Sequence, residues 1–185
     1  PNSLKQPNQQ STPYDSPWTT MDRIKQLMWE WSWTLLCKWT PKPFNVWRLF
    51  ILKIFGAKIH GNPFVHQRAK IEKPENLIIK HRACLGDGAT AYSLGVIEIQ
   101  EGATVAQEAY LCAGTHDFSK ESMQLLTLGI IIKEGAFVGA RSFIMPGITI
   151  GKKSIVGACS VVTKQVPNDS TVAGNPSKIL VEKKN

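Results

Sequence analysis

The residue best suited to do chemistry in this 185-residue chain is His116, in the stretch LCAGTHDF (111–118). An imidazole titrates near neutrality, so it can take a proton from a hydroxyl and return it to a leaving group. Its position is informative. Aliphatic residues recur every six positions up to Leu111, stop, and resume at Ile132. His116 closes the last hexapeptide before the break, which predicts a place at a corner of the repeat. The plain alternative is a surface histidine at such a corner. Asp117 follows directly, and neighbours in an extended chain point to opposite sides. Its carboxylate can orient the ring only if the chain turns there.

The other reactive residue types offer less. Cys112 sits beside the inward aliphatic of its repeat, as do Cys84 and Cys159 near theirs. That placement predicts buried, inert thiols and argues against a covalent acyl-enzyme. The four cysteines form no CxxC pair or zinc spacing. His60 and His66 lie six apart, on successive faces of a repeat, and do not converge on one ion; no metal is expected. The net charge of +8 resides at the two ends, in residues 1–58 and 132–185. No basic cluster interleaves with aromatics, so nucleic acid is not the expected partner. A phosphorylated cofactor or an anionic membrane surface fits the charge better.

What must position these residues is the repeat itself. At spacing six the chain reads Ile99, Val105, Leu111, then Ile132, Val138, Ile144, Ile150, Val156, Val162. The rhythm also runs earlier, at Ile59, Val65, Ile71 and Leu77, shifts by two to Ile79 and Leu85, and shifts again near SLGVIE before Ile99. One aliphatic per six residues fits neither strand alternation nor a helix. It fits a triangular solenoid in which three hexapeptides make one coil and small residues permit tight corners. The solenoid is expected over 59–177, with residues 117–131 as an extruded loop and 178–185 as a tail.

Residues 18–58 form a different element. They hold all six tryptophans, with Thr20 or Asp22 as the expected cap of a first helix. Ile24, Leu27, Met28, Trp31 and Leu35 follow helical spacing, TPKP (40–43) breaks the helix, and FNVWRLFILKIF (44–55) predicts a second. Neither is long and uncharged enough to span a bilayer, for which roughly 20 apolar residues are needed. The arm either packs within the protein and its oligomer or lies in the membrane interface, with contact through residues 18–55. Residues 1–17 read as a disordered polar lead. No secretory pattern appears in the first twenty residues, which predicts a cytoplasmic protein, or one peripheral on the inner face of the membrane.

The stretch IIKEGAFVGARSFIMPGITIGKKSIVGACSVVTKQVPNDSTVAGNPSKIL resembles the hexapeptide-repeat acyltransferases. Among them it is most similar to the colanic-acid-type sugar O-acetyltransferases. The likeness covers roughly 44–181, and its most specific pieces are THD, VVTK followed by VP, and AGNPSK. It implies a left-handed parallel β-helix, a homotrimer and acetyl-CoA as cosubstrate without a metal. The acceptor would be a small-molecule or lipid-linked sugar of exopolysaccharide or capsule biosynthesis. His116 matches the family's general base. Ala140 and Ala158 match residues whose backbone meets the pantetheine arm, Thr163 and Lys164 the pair near the adenosine phosphates, and Lys178 a cofactor-binding arginine. On the acceptor side Asp87 and Asp117 are the candidates, while Leu94 stands where the family has an Asp. The alternatives are an N-acyltransferase acting on an amino sugar and a non-catalytic trimeric scaffold.

Overall fold

The computed structural model describes residues 12, 14 and 16–182. The polar lead expected at 1–17 therefore lies almost wholly outside the described residues. From Lys58 onward short parallel strands wind into a three-sided solenoid of about six turns. Sheet A stacks Lys58–Ile59, Leu77–Ile79, Ile97–Ile99, Ile130–Ile132 and Thr149–Ile150. Sheet B stacks Phe64–Val65, Cys84–Leu85, Thr104–Val105, Phe137–Val138, Ile155–Val156 and Ser170–Gly174. Sheet C stacks Lys70–Ile71, Thr90–Tyr92, Tyr110–Cys112, Phe143–Ile144 and Val161–Val162.

The hexapeptide aliphatics are the inward row. Val65, Ile79, Leu85, Ile99, Val105, Leu111, Ile132, Val138, Ile144, Ile150, Val156 and Val162 are all fully buried. A second inward row stands two residues earlier. On sheets B and C it is Ala or Ser, as at Ala83, Ala103, Ala109, Ser142 and Ser160; on sheet A it is large, as at Leu77, Ile97, Ile130 and Ile148. Small and large rows together fill the triangular section.

The small residues that follow many aliphatics have a second reason beyond the tight turn expected of them. A Cβ on Gly139 would lie 2.6 Å from the Ala158 nitrogen, and one on Gly151 2.4 Å from the Pro167 backbone. Close stacking of coils, about 4.8 Å apart, excludes larger side chains there. The turn itself depends on a left-handed residue that is often not glycine: Arg82, Glu108, Arg141, Lys153, Cys159 and Asp169 all have positive φ.

The irregularities share one edge. The inserted turn Pro74–Asn76, the segment Ser93–Gly95 and the long insertion after Cys112 all leave sheet C and return to sheet A. This C–A corner is where the chain departs from its six-residue rhythm. The extruded segment runs over 113–129, not 117–131. Gly114–His116 pairs antiparallel with Leu125–Thr127, so the break begins before His116 and sheet A resumes at Ile130.

Both ends of the solenoid are covered. Coil-to-coil bonds run from the N–H groups of one coil to the carbonyls of the next, for example Phe64 to Ala83 and His66 to Leu85. The first coil is left with backbone groups facing outward, an unpaired edge in need of a partner. The arm supplies it. Trp29 Nε1 donates to the Ile71 carbonyl at 2.6 Å and Trp33 Nε1 to that of Ala69 at 3.1 Å. Asn45 Nδ2 donates to Pro63 O, and its Oδ1 accepts from the Val65 N–H. Arg48, fully buried, donates to Val65 O, Thr40 Oγ1, Pro41 O and Lys42 O.

These residues sit on α1 (Thr20–Leu36) and α2 (Asn45–Ile54) and on the turn between them. The cap of α1 is Thr19, not Thr20 or Asp22; Asp22 closes the capping box from the third helical position. At the other end the chain turns at Asn175–Pro176, and Ser177–Glu182 returns antiparallel on Ser170–Gly174, so part of the expected tail is strand.

Candidate active site

His116 lies near the tip of the hairpin, exposed, with its ring fixed by one bond: Nδ1 is 2.6 Å from the Met123 carbonyl. A carbonyl can only accept, so Nδ1 carries the hydrogen and Nε2 keeps a free lone pair. Met123 itself adopts a left-handed conformation (φ 44°) that belongs to the turn opposite the ring. Nothing in the sequence marks that carbonyl as the orienting group. The position expected for His116, a corner of the solenoid, is corrected accordingly: it projects from the C–A corner on a two-stranded hairpin.

Asp117 does not touch the ring. Its carboxylate accepts from the Ser119 N–H at 3.1 Å and from Ser119 Oγ at 2.5 Å, with Lys120 Nζ 3.6 Å away. Those bonds hold its carboxyl below the usual carboxylate range. Asp117 builds the turn that puts Met123 opposite His116. At the hairpin base a Cβ on Gly114 would meet Leu94 Cδ1 at 2.8 Å and Tyr92 at 3.3 Å, so the strand leaves the solenoid tightly against sheet C.

Cys112 differs from its expectation. It faces outward from sheet C, half-buried, and its Sγ contacts the Gly114 carbonyl at 3.2 Å. The inward side of that strand belongs to Leu111, and burial pushes the Cys112 thiol up. Cys84 is likewise half-buried, and Cys159, at a left-handed corner position, is exposed.

The remaining candidate residues fall on two edges of sheet C. Thr163 and Lys164 leave sheet C at the same C–A corner as the hairpin, two coils further on, about 10 Å along the axis. Both are exposed, and Lys164 makes no ion pair among the described residues. Asp87, Ala140 and Ala158 occupy equivalent positions on the opposite, B–C corner. Each lies two residues past its inward aliphatic, and the Cys159 N–H bonds to Ala140 O at 2.9 Å. Lys178 pairs with Ala173 at the top of that corner.

Asp87 is already engaged. Arg68 grips its carboxylate with both Nε and a terminal nitrogen, and His66 Nδ1 stands 3.2 Å away. The Arg68 bond, with His66 beside it, holds the Asp87 carboxyl below the usual range. Burial holds the His66 imidazole down. Neither Arg68 nor His66 carried a motif that would have paired it with Asp87; only the twenty-residue length of the first coils places 67 below 87. Among the described residues no group of three His, Cys, Asp or Glu side chains converges as for a metal.

The chain thus carries His116, Thr163 and Lys164 along one edge of sheet C and Asp87, Ala140, Ala158 and Lys178 along the other. Residues 129–164 match the family described as bacterial transferase hexapeptide (six repeats). The Escherichia coli (strain K12) protein named as the colanic acid biosynthesis acetyltransferase WcaF is 35% identical over 158 residues, covering 85% of this chain and 86% of that one. The chain belongs to the hexapeptide-repeat transferases. The galactoside O-acetyltransferase of the same organism is 33% identical over 135 residues, or 71% of this chain and 66% of its own length.

A hexapeptide-repeat acetyltransferase of Vibrio cholerae, solved complexed with acetyl coenzyme A, superposes with a TM-score of 0.78 at 19% identity. The match spans 90% of this chain and 91% of that one. The solenoid expected from the repeat is therefore both present in the chain and shared with a solved hexapeptide-repeat enzyme. Such a transferase needs a group to deprotonate its acceptor and a path for its donor, and the two edges of sheet C offer residue types suited to each.

Proposed function

We propose that the protein is an O-acetyltransferase that moves an acetyl group from acetyl-CoA to a sugar hydroxyl in exopolysaccharide or capsule biosynthesis. The observation that carries this reading is the 2.6 Å contact of His116 Nδ1 with the Met123 carbonyl, which in the neutral ring commits the hydrogen to Nδ1 and leaves Nε2 as the acceptor. In this reading Nε2 takes the acceptor hydroxyl's proton as its oxygen attacks the thioester carbonyl. The C–S bond then breaks, and His116 returns the proton to the departing thiolate, leaving the imidazole as it began. Charge balances without a metal or a covalent enzyme intermediate. The similarity to WcaF supports the acceptor class.

Thr163 and Lys164 suit the phosphate end of the donor, since Lys164 is exposed and makes no ion pair among the described residues. Ala140 and Ala158 leave the backbone of the B–C corner accessible to the pantetheine arm, and Lys178 adds a cation above it. Because these residues occupy two edges of one protomer, a groove between copies would unite them, which supports a homotrimer. In the same reading the enzyme works in the cytoplasm, at the inner face of the membrane when its sugar is carried on a lipid.

The test is calorimetric titration with acetyl-CoA, followed by thiol release with a panel of sugars. Lys164→Ala should weaken acetyl-CoA binding about tenfold, the loss of one charge-assisted contact at an exposed site. A folded protein that binds no acetyl-CoA would end the reading.

A further inference from the structure

The arm is apolar on two opposite sides, and only one of them is used. On α1, Trp29 and Trp33 face the solenoid. At about 100° per residue, Ile24, Leu27, Met28, Trp31 and Leu35 lie on the far side of the helix. They are 47–65% exposed. This is the stripe that helical spacing singles out in the sequence, and it meets solvent. On α2, Leu49 and Leu52 pack inward while Val46, Trp47, Phe50 and Ile54 face out. The two outer faces join where Trp47 Nε1 donates to the Leu36 carbonyl at 2.9 Å and its ring contacts Phe50. Five large apolar side chains of α1 and four of α2 thus face outward, the kind of surface that marks an interaction site.

Charge identifies the occupant. Arg23 and Lys25 flank the outer face of α1 on either side, and Lys38, Lys42 and Lys53 follow along the arm, all exposed. The arm's acids are fewer: Asp22 is spent on the capping box, leaving Glu30. A symmetric contact with a second copy would set these cations against themselves, and lysine is depleted from the centres of protein interfaces. A tryptophan-bearing helix with an apolar face between rows of cations suits the headgroup region of an anionic bilayer. No helix among the described residues is long and apolar enough to cross one.

We propose that the outer faces of α1 and α2 bind the protein to anionic membrane surfaces. The hairpin bearing His116 then leaves the solenoid two coils above the capped end, about 10 Å along the axis. The thickness of the arm helix, about 10 Å, adds to this, so His116 stands roughly 20 Å from the bilayer surface, the span that a lipid-linked sugar must cover. The inference sharpens the membrane part of the proposed function, but binding alone decides it, whatever the fate of acetyl transfer.

The experiment is flotation of the full chain with vesicles of phosphatidylcholine alone, or of equal parts phosphatidylcholine and phosphatidylglycerol. Binding is expected to the anionic vesicles, weakened by salt. Changing Arg23, Lys25, Lys38 and Lys42 singly to Gln should weaken it about fivefold each. Trp31→Glu with Phe50→Glu should abolish it; an unchanged melting temperature and acetyl-CoA titration would show that the fold survives. Absence of flotation by the wild type overturns the inference, as does equal binding to neutral vesicles. A fall in oligomer size in the Trp31→Glu, Phe50→Glu variant, with no wild-type flotation, would assign the face to a second copy instead.

Discussion

Replacing His116 with Asn separates the two jobs its ring performs. An Asn amide nitrogen can stand near Nδ1 and donate to the Met123 carbonyl, which His116 meets at 2.6 Å, but nothing replaces Nε2. The hairpin should therefore keep its stability. Even His116→Ala should cost no more than about 1 kcal/mol, because Met123 is 45% exposed and water can satisfy its carbonyl. The chemistry is another matter. A positioned general base contributes about 10²–10⁴ in rate, or roughly 3–5.5 kcal/mol of barrier. The assay is thiol release from acetyl-CoA with an acceptor the wild type uses, alongside thermal melts and acetyl-CoA titration. Asn and Ala variants should both lose at least a hundredfold in kcat, with acetyl-CoA affinity within about twofold of wild type. If His116→Asn retained a tenth or more of the rate, Nε2 would not be the base. If it lost activity together with cofactor binding and melting temperature, the ring would be a structural element of the hairpin.

Two further outcomes follow from the same geometry. Arg48→Met keeps the aliphatic stem but removes donors from four acceptors, leaving the Val65 carbonyl buried; relief of Arg48's own desolvation offsets part of the loss. Urea unfolding should show a net loss of about 3 kcal/mol, with Arg48→Lys rescuing little, and a loss under 1 kcal/mol would mean that the arm is held without the Arg48 bonds. A one-to-one co-refolded mixture of His116→Asn and Ala158→Trp, each inactive alone, should recover about a quarter of wild-type activity if each site joins edges from two copies. No recovery from mixed oligomers would place the whole site within one protomer.

The solenoid was legible because its period is enforced physically: every sixth residue must fill the same narrow core, and all of those read from Leu77 on are buried. Even the two-residue shifts were visible, and they mark the C–A corner. The hairpin was misplaced by a few residues because Gly114, Thr115 and His116 continue the hexapeptide count while already leaving it. The polar stretch DFSKES (117–122) between Gly114–His116 and Leu125–Thr127 was the available signal for a hairpin turn. The orientation of α1 was not legible. When both sides of a helix are apolar, period alone cannot say which side meets the protein. Here the choice was made by Trp29 and Trp33, whose indole N–H groups reach the carbonyls left over on the first coil.

The placement of the candidate site residues follows from where a triangular solenoid tolerates irregularity. Faces are locked by the stacked ladders of parallel strands, whose inward aliphatics are fully buried. Corners are freer, since a coil can lengthen there without disturbing the ladders on either side. The C–A corner accepts insertions of two residues in the early coils and a whole hairpin in the third, and that hairpin carries the histidine. The B–C corner takes none, and it holds a ladder of short and charged residues: Asp87 gripped by Arg68, Glu108 by Arg141, then Ala140 and Ala158. A variable corner that presents a histidine and a regular corner that presents accessible backbone are different surfaces. They face one another only if protomers meet with unlike edges together, as in a closed ring. The same arrangement keeps α1 and α2 at the capped end, so their outer faces can meet a bilayer without displacing the edges that would form the groove.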